Sequence, residues 1–172
     1  PAQQALIKEE LVAHMLCAGI LKNELEGRTG PSMKDISMHE SVFLDSLPFE
    51  LTNAQNVVWG EIKNDLLANI PMRRLLQGDV GSGKTLVGAL SALHASSNGY
   101  QTALLCPTEI LAEQHFTSFS DWFKKLGIKV MLLTGSTKAK ERKIKIEDHA
   151  AGKNHILNGN QANTETDKNV KR

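Results

Sequence analysis

Cysteine is scarce in this sequence. The 172 residues hold two, Cys17 and Cys106, too few and too far apart for a zinc site or a disulfide framework. No apolar run approaches the roughly 18 residues that a membrane span needs, which excludes a transmembrane helix, and no membrane partner is expected. The opening PAQQALIKEE lacks the basic-then-apolar order of a secretory leader. With so little cysteine, a reducing cytoplasmic setting is expected. Charge of one sign is also lacking. Twenty basic against nineteen acidic residues leave a net +1, which is no general footprint for nucleic acid, so any such role must rest on particular residues. The six histidines show no metal-ligand spacing. What remains, 41% hydrophobic and 23% charged, is an ordinary globular balance of about one domain plus an appendage.

Apolar residues Ile7, Leu11, Met15, Ala18, Leu21 and Leu25 recur at helical steps over residues 2–26, predicting an amphipathic helix. GRTGPSMKDIS, from Gly27 to Ser37, reads as a linker. VFLDSLPFEL, from Val42 to Leu51, contains Pro48 and predicts an extended approach to the next element. Thr52 opens a helical pattern that Pro71 closes. Short apolar runs then alternate with helical ones. RLLQG (74–78), TALLCP (102–107) and IKVMLLTG (128–135) are the candidate strands. Helices are predicted over about 84–97, 109–126 and 138–151. This alternation implies right-handed crossovers and a mostly parallel α/β sheet. A fourth strand is due after Gly152, but KNHILNGNQANTETDKNVKR carries asparagine at 154, 158, 160, 163 and 169. A short or absent strand and a disordered tail are expected.

GDVGSGKT, comprising Gly78, Asp79, Val80, Gly81, Ser82, Gly83, Lys84 and Thr85, matches G-x-x-x-x-G-K-[ST] in full. Glycine lets the backbone turn tightly and bring its N–H groups to phosphate oxygens. The helix beginning near Lys84 adds the positive end of its dipole. Lys84 would reach the β- and γ-phosphates of ATP, and the Thr85 hydroxyl would ligate Mg2+. Thr52 and Gln55 also form T-x-x-Q, the pattern of a capping box.

LPFELTNAQ (47–55), RLLQGDVGSGKT (74–85), LLCPTEILAEQH (104–115) and LLTGSTKAKER (132–142) follow one another in order. Together they resemble the first motor domain of the RecG-type ATP-dependent DNA helicases of superfamily 2. PAQQALIKEELVAHML resembles the helix that joins the wedge of those enzymes to their motor. The resemblance implies a RecA-like P-loop fold, ATP and Mg2+ as cofactors, and branched or forked DNA as the partner of the parent enzyme. It implies that Gln55 reads adenine with Phe49 near the base. It also implies that Pro107, Thr108 and Glu109, and then Gly135 and Ser136, belong to segments facing DNA. The bland alternatives are a strand end and an N-cap at 107–108. The basic run 138–145 is interleaved with acids and reads as a solvated helix face, while Trp59 and Trp122 read as packing residues.

Departures matter too. Where relatives have an apolar run ending in a G-T-H-A-L-like sequence, this chain has HILNGNQAN, with Asn160 at the threonine position, and no adjacent Asp–Glu pair follows Leu157. The arrangement expected is an N-terminal helix and linker over 1–46, a partial RecA-like domain over 47–153, and an eroded strand and tail over 154–172. Without the acidic pair, the wedge and the second motor domain, the chain is expected to be inactive alone. Two readings follow: a segment of a RecG-type DNA helicase that binds ATP, or a stand-alone nucleotide-binding module or non-functional truncated product without motor activity.

Overall fold

The computed structural model describes residues 8–13, 15–17, 19 and 29–160. Residues 8–13 and 15–17 are helical; the rest of the helix predicted over 2–26 and the tail after 160 lie outside the described residues. The elements that follow are α1 (Ser37–Asp45), α2 (Asn53–Leu67), α3 (Lys84–Ser97), β1 (Thr102–Cys106) and α4 (Glu109–Phe123). A 3-10 turn (Lys124–Leu126), β2 (Val130–Leu133), α5 (Ala139–Ala150) and β3 (Ile156–Asn160) are the remaining elements among the described residues.

Three parallel strands stand in the order β1-β3-β2. This is the parallel α/β architecture of a RecA-like domain, of which the chain covers part. Its middle strand corrects the sequence expectation. Residues 156–160 were predicted to be eroded, yet Ile156 pairs with Thr102 on one side and Val130 on the other, and Gly159 with Leu105 and Leu133. Backbone ladders need N–H and C=O groups rather than apolar side chains, so asparagine does not prevent pairing. Gly159 fits a close approach, because a Cβ there would stand 2.9 Å from the Leu133 carbonyl oxygen.

Two further expectations fail. RLLQG (74–78) forms no strand among the described residues; short apolar runs are ambiguous by periodicity alone. Arg74 instead pairs with Glu61 and Asp65 of α2. The predicted extended run from Val42 begins as the last turn of α1. Phe43 is fully buried and stacks on Phe123 with ring centroids 5.4 Å apart. Pro48 lies beyond the α1 C-cap at Ser46 and therefore does not oppose the helix.

One apolar cluster joins these elements. Phe43 (α1), Trp59 and Ile62 (α2), Leu86, Leu90 and Leu93 (α3), Phe119 and Phe123 (α4) and Ile156 (β3) are all buried in it. Complete burial of a Leu or Phe side chain contributes about 1.5–3 kcal/mol. The linker is fastened to α2 by Lys63, whose ammonium lies 2.9 Å from Asp35 and 3.0 Å from Glu40. Trp59 Nε1 donates to Glu40 at 2.7 Å. The hydrogen bonds from Lys63 and Ser37 hold the Asp35 carboxyl down at about 2. Trp59 and the half-buried Trp122 are packing residues. The basic helix α5 carries Lys145–Glu141 (2.7 Å) and Lys143–Glu147 (4.0 Å) pairs along its length, an i,i+4 pattern suited to a solvated face.

Candidate nucleotide and nucleic-acid sites

The phosphate-loop sequence closes on itself before α3 begins. Ser82 N–H donates to the Asp79 carbonyl at 3.2 Å. Gly81 and Gly83 have φ of 81° and 79°, left-handed values that favour glycine. Gly83 is the N-cap of α3 and supplies no side-chain cap. Leu86 and Val87 donate back to its carbonyl at 2.9 and 3.4 Å, while the first N–H groups of the helix, at Lys84 and Thr85, have no intrahelical acceptor. The amides and the dipole thus meet at the loop, an arrangement suited to an anion.

Lys84 completes that arrangement. Its Nζ donates to the carbonyls of Gly78 at 2.6 Å and Asp79 at 2.7 Å, with Ser82 Oγ at 3.4 Å. The ammonium is therefore folded over the loop itself, within reach of anything the loop encloses. Thr85 is half-buried in the first turn of α3, next to Lys84, where its hydroxyl can serve a cation carried by a phosphate. Asp79, Val80, Gly81 and Ser82 are exposed.

Gln55 reaches the same loop from α2. Thr52 and Gln55 form the capping box: Gln55 N–H donates to Thr52 Oγ1 at 3.3 Å, and Thr52 N–H to Gln55 Oε1 at 2.8 Å. Gln55 Nε2 donates onward to the Ser82 carbonyl at 2.9 Å. This cross-link had no local sequence signal; T-x-x-Q predicted the cap alone. Phe49 is exposed on the segment entering α2, and no ring contact among the described residues includes it.

A second group of predicted residues gathers at the C-terminal edge of the sheet. Because β1 and β2 run parallel on either side of β3, Pro107–Glu109 and Gly135–Ser136 leave the sheet at one edge. Pro107 and Thr108 are exposed. Thr108 caps α4, its Oγ1 accepting Leu111 N–H at 3.3 Å. Glu109 Oε1 accepts Ser136 N–H at 3.0 Å, which joins the two segments directly. Asn160 stands in register with Cys106 just behind them and is buried. Burial pushes the Cys106 thiol up; Cys17 is exposed, and both cysteines are free. No group of three His, Cys, Asp or Glu among the described residues is placed to hold a metal.

Comparison with known proteins assigns this combination. Residues 52–170 match the DEAD/DEAH box helicase family. The chain belongs to that family. Within these helicases it is of RecG type. It is 46% identical to the ATP-dependent DNA helicase RecG of Haemophilus influenzae over 162 residues, covering 94% of this chain and 23% of that protein. The RecG of Escherichia coli K12 is 44% identical over 162 residues, with the same coverage of 94% and 23%. The RecG of Bacillus subtilis is 44% identical, with coverage of 94% and 24%. The chain thus spans about a quarter of the length of these curated relatives. Among solved structures, a RecG bound to a three-way DNA junction superimposes with a TM-score of 0.85 at 40% identity, covering 92% of this chain and 22% of that one. A hypothetical ATP-dependent RNA helicase from Sulfolobus tokodaii shares the fold, with a TM-score of 0.55 at 17% identity and coverage of 73% and 34%. As a helicase domain, the chain belongs to an ATP-using class. No described helix is long and apolar enough to cross a membrane.

Proposed function

We propose that the chain is the nucleotide-holding part of a RecG-type DNA helicase motor and that it works in the cytoplasm. Gly78, Asp79, Val80, Gly81, Ser82, Gly83, Lys84 and Thr85 hold the phosphates of ATP, and Thr85 is the protein's ligand to Mg2+. Gln55 faces the adenine, with Phe49 near the base. The observation that carries this reading is the left-handed Gly83 N-cap, which leaves the α3 amides uncapped beside the Lys84 ammonium. The residues suit a triphosphate because they supply amide donors, an ammonium and a hydroxyl close together in the chain.

Pro107, Thr108, Glu109, Gly135 and Ser136 are the segments that face branched or forked DNA in the whole enzyme, together with a wedge and a second motor domain. That role is supported by their gathering at one sheet edge, where open α/β sheets bind ligands, and by the likeness to a RecG bound to a three-way junction.

A second reading, nucleotide binding without motor activity, draws on Asn158. Its side chain is fully buried in the central strand and neither amide atom has a hydrogen-bond partner among the described residues. Phosphoryl transfer also needs an acid to hold the metal and extra positive charge on the γ-phosphate. This reading expects binding and no turnover by the 172 residues tested by themselves. Melting with and without ATP and Mg2+ tests the binding. At a hundred times its dissociation constant, ATP should stabilise the fold by about 2.7 kcal/mol, and Lys84→Ala should remove that gain. An unchanged melting temperature in a folded sample overturns the nucleotide site. Phosphate release stimulated by forked DNA and abolished by Lys84→Ala would overturn the motor-free reading.

A further inference from the structure

The turn after β2 is tied internally and presents one amide to a neighbouring carboxylate. Thr137 N–H donates to the Thr134 carbonyl at 3.1 Å, and Thr134 N–H donates to Thr137 Oγ1 at 3.1 Å. Thr134 Oγ1 and Ser136 Oγ are 2.8 Å apart. These bonds fix the backbone around Gly135 and Ser136. The Ser136 N–H donates to Glu109 Oε1 at 3.0 Å. The same oxygen lies 2.7 Å from the position a Cβ on Gly135 would occupy, so the absence of a side chain there lets the carboxylate close on the turn.

Two features place Glu109 for this contact. Thr108 caps α4, which orients the residue after it, and a negative side chain is favoured in the first turn of a helix. Glu109 is half-buried, whereas Gly135 and Ser136 are exposed. A backbone N–H held in a rigid turn is a group that a phosphate oxygen takes when a protein tracks a nucleic-acid backbone. A carboxylate oxygen is an acceptor of the same kind and the same sign.

We propose that Glu109 is an internal occupant of a phosphate-binding amide. Its carboxylate holds the Ser136 N–H until the phosphate of a single DNA strand displaces it, so Glu109 sets the affinity and salt dependence of strand binding at this edge. The inference rests on the reading of 107–109 and 135–136 as DNA-facing segments. Glu109 acts through Ser136 and is a positioning residue; it also repels the strand it yields to, which favours release.

The test uses the whole 172-residue chain at low salt. Anisotropy of a labelled oligothymidylate and hydrogen exchange of the Ser136 amide are read for wild type, Glu109→Gln and Glu109→Ala. Glu109→Ala should speed Ser136 exchange and tighten strand binding by about threefold to tenfold, the equivalent of one net hydrogen bond. It should also steepen the slope of log affinity against log salt by about 0.7, one phosphate's share for a single strand. Glu109→Gln keeps the shape and an acceptor, so its gain should be smaller; it serves as the second variant should Glu109→Ala fail to fold. Unchanged or weaker binding by the alanine variant, with faster Ser136 exchange, overturns the proposal and leaves the DNA-facing segments standing. Absence of binding by every variant, with Ser136 exchange still responding, overturns the DNA reading and the proposal with it.

Discussion

Gln55 Nε2 donates to the Ser82 carbonyl at 2.9 Å while Oε1 of the same amide accepts the Thr52 N–H at 2.8 Å. A single side chain therefore ends one helix and holds the loop that begins another. A nucleotide can engage this amide through the second Nε2 hydrogen or the second lone pair of Oε1 without breaking the loop contact.

Gln55→Ala removes both bonds. The fold should lose about 1–3 kcal/mol, the net worth of two ordinary hydrogen bonds, and discrimination between ATP and GTP should fall. Urea melts and competition binding measure the two effects. If nucleotide preference survives while stability drops, the residue is a cap and a tether without a part in base reading.

Gly83→Ala tests the loop from the other side. The φ of 79° at Gly83 disfavours any side chain, and a Cβ there would run into Gln55 Nε2. The substitution should abolish the ATP-dependent rise in melting temperature while α3 is retained by circular dichroism. A normal nucleotide response would mean that the left-handed cap is not needed for phosphate binding.

Asn158→Leu should stabilise the chain. Asn158 is fully buried, and its two amide atoms have no partner among the described residues. Leu104 and Leu132 are its register neighbours. Burying an unpaired amide costs about 1–3 kcal/mol by protein mutational measures, and a leucine of similar size removes that penalty. A lower urea midpoint for the variant would show that the amide has partners or that the site cannot take the branched side chain.

His94 makes stability depend on pH. It is fully buried on α3, and its ring centroid lies 6.1 Å from that of Trp59 in an edge-on arrangement. Burial, reinforced by the Lys63 ammonium against the opposing Asp35 and Glu40 carboxylates, lowers its pKa from the ordinary histidine value. The unfolded chain takes up a proton near pH 6.5, and the folded one resists it. The full contribution of a neutral His94 is present above that pH and is lost as pH falls toward the lowered value. The melting temperature should therefore drop below about pH 6.5, and His94→Leu should flatten the dependence. His149, whose pKa burial also lowers, contributes in the same direction, and the salt-bridged carboxylates of Asp35, Asp65 and Glu141, all held below their ordinary values, add a slope at lower pH. No change of slope in the leucine variant would remove His94 from this role.

The features legible in the sequence are those that short spacings determine. The capping box at Thr52, the glycines of the loop and the Lys84–Ser97 helix each follow from residues within a turn or two of one another. The Gln55–Ser82 and Glu109–Ser136 bonds each join residues 27 apart, and nothing in either local pattern announces them. β3 was misread because polarity at 158 and 160 outweighed the ladder it forms with two neighbours. The strand expected at RLLQG shows the converse error, since apolar character alone does not supply a pairing partner. α1 was missed because Pro48 carried too much weight two residues past its C-cap.

The position of β3 between β1 and β2 has a consequence for synthesis. Among the described residues β1 and β2 have no ladder with each other, and each is bonded to β3. A ribosome making this chain delivers β1 and β2 before the strand that unites them, so the two ladders that join them cannot assemble until residues 156–160 have emerged. Until then the exit surface holds helices and two open strand edges, the form in which such a chain is most exposed to chaperones and to neighbouring nascent chains.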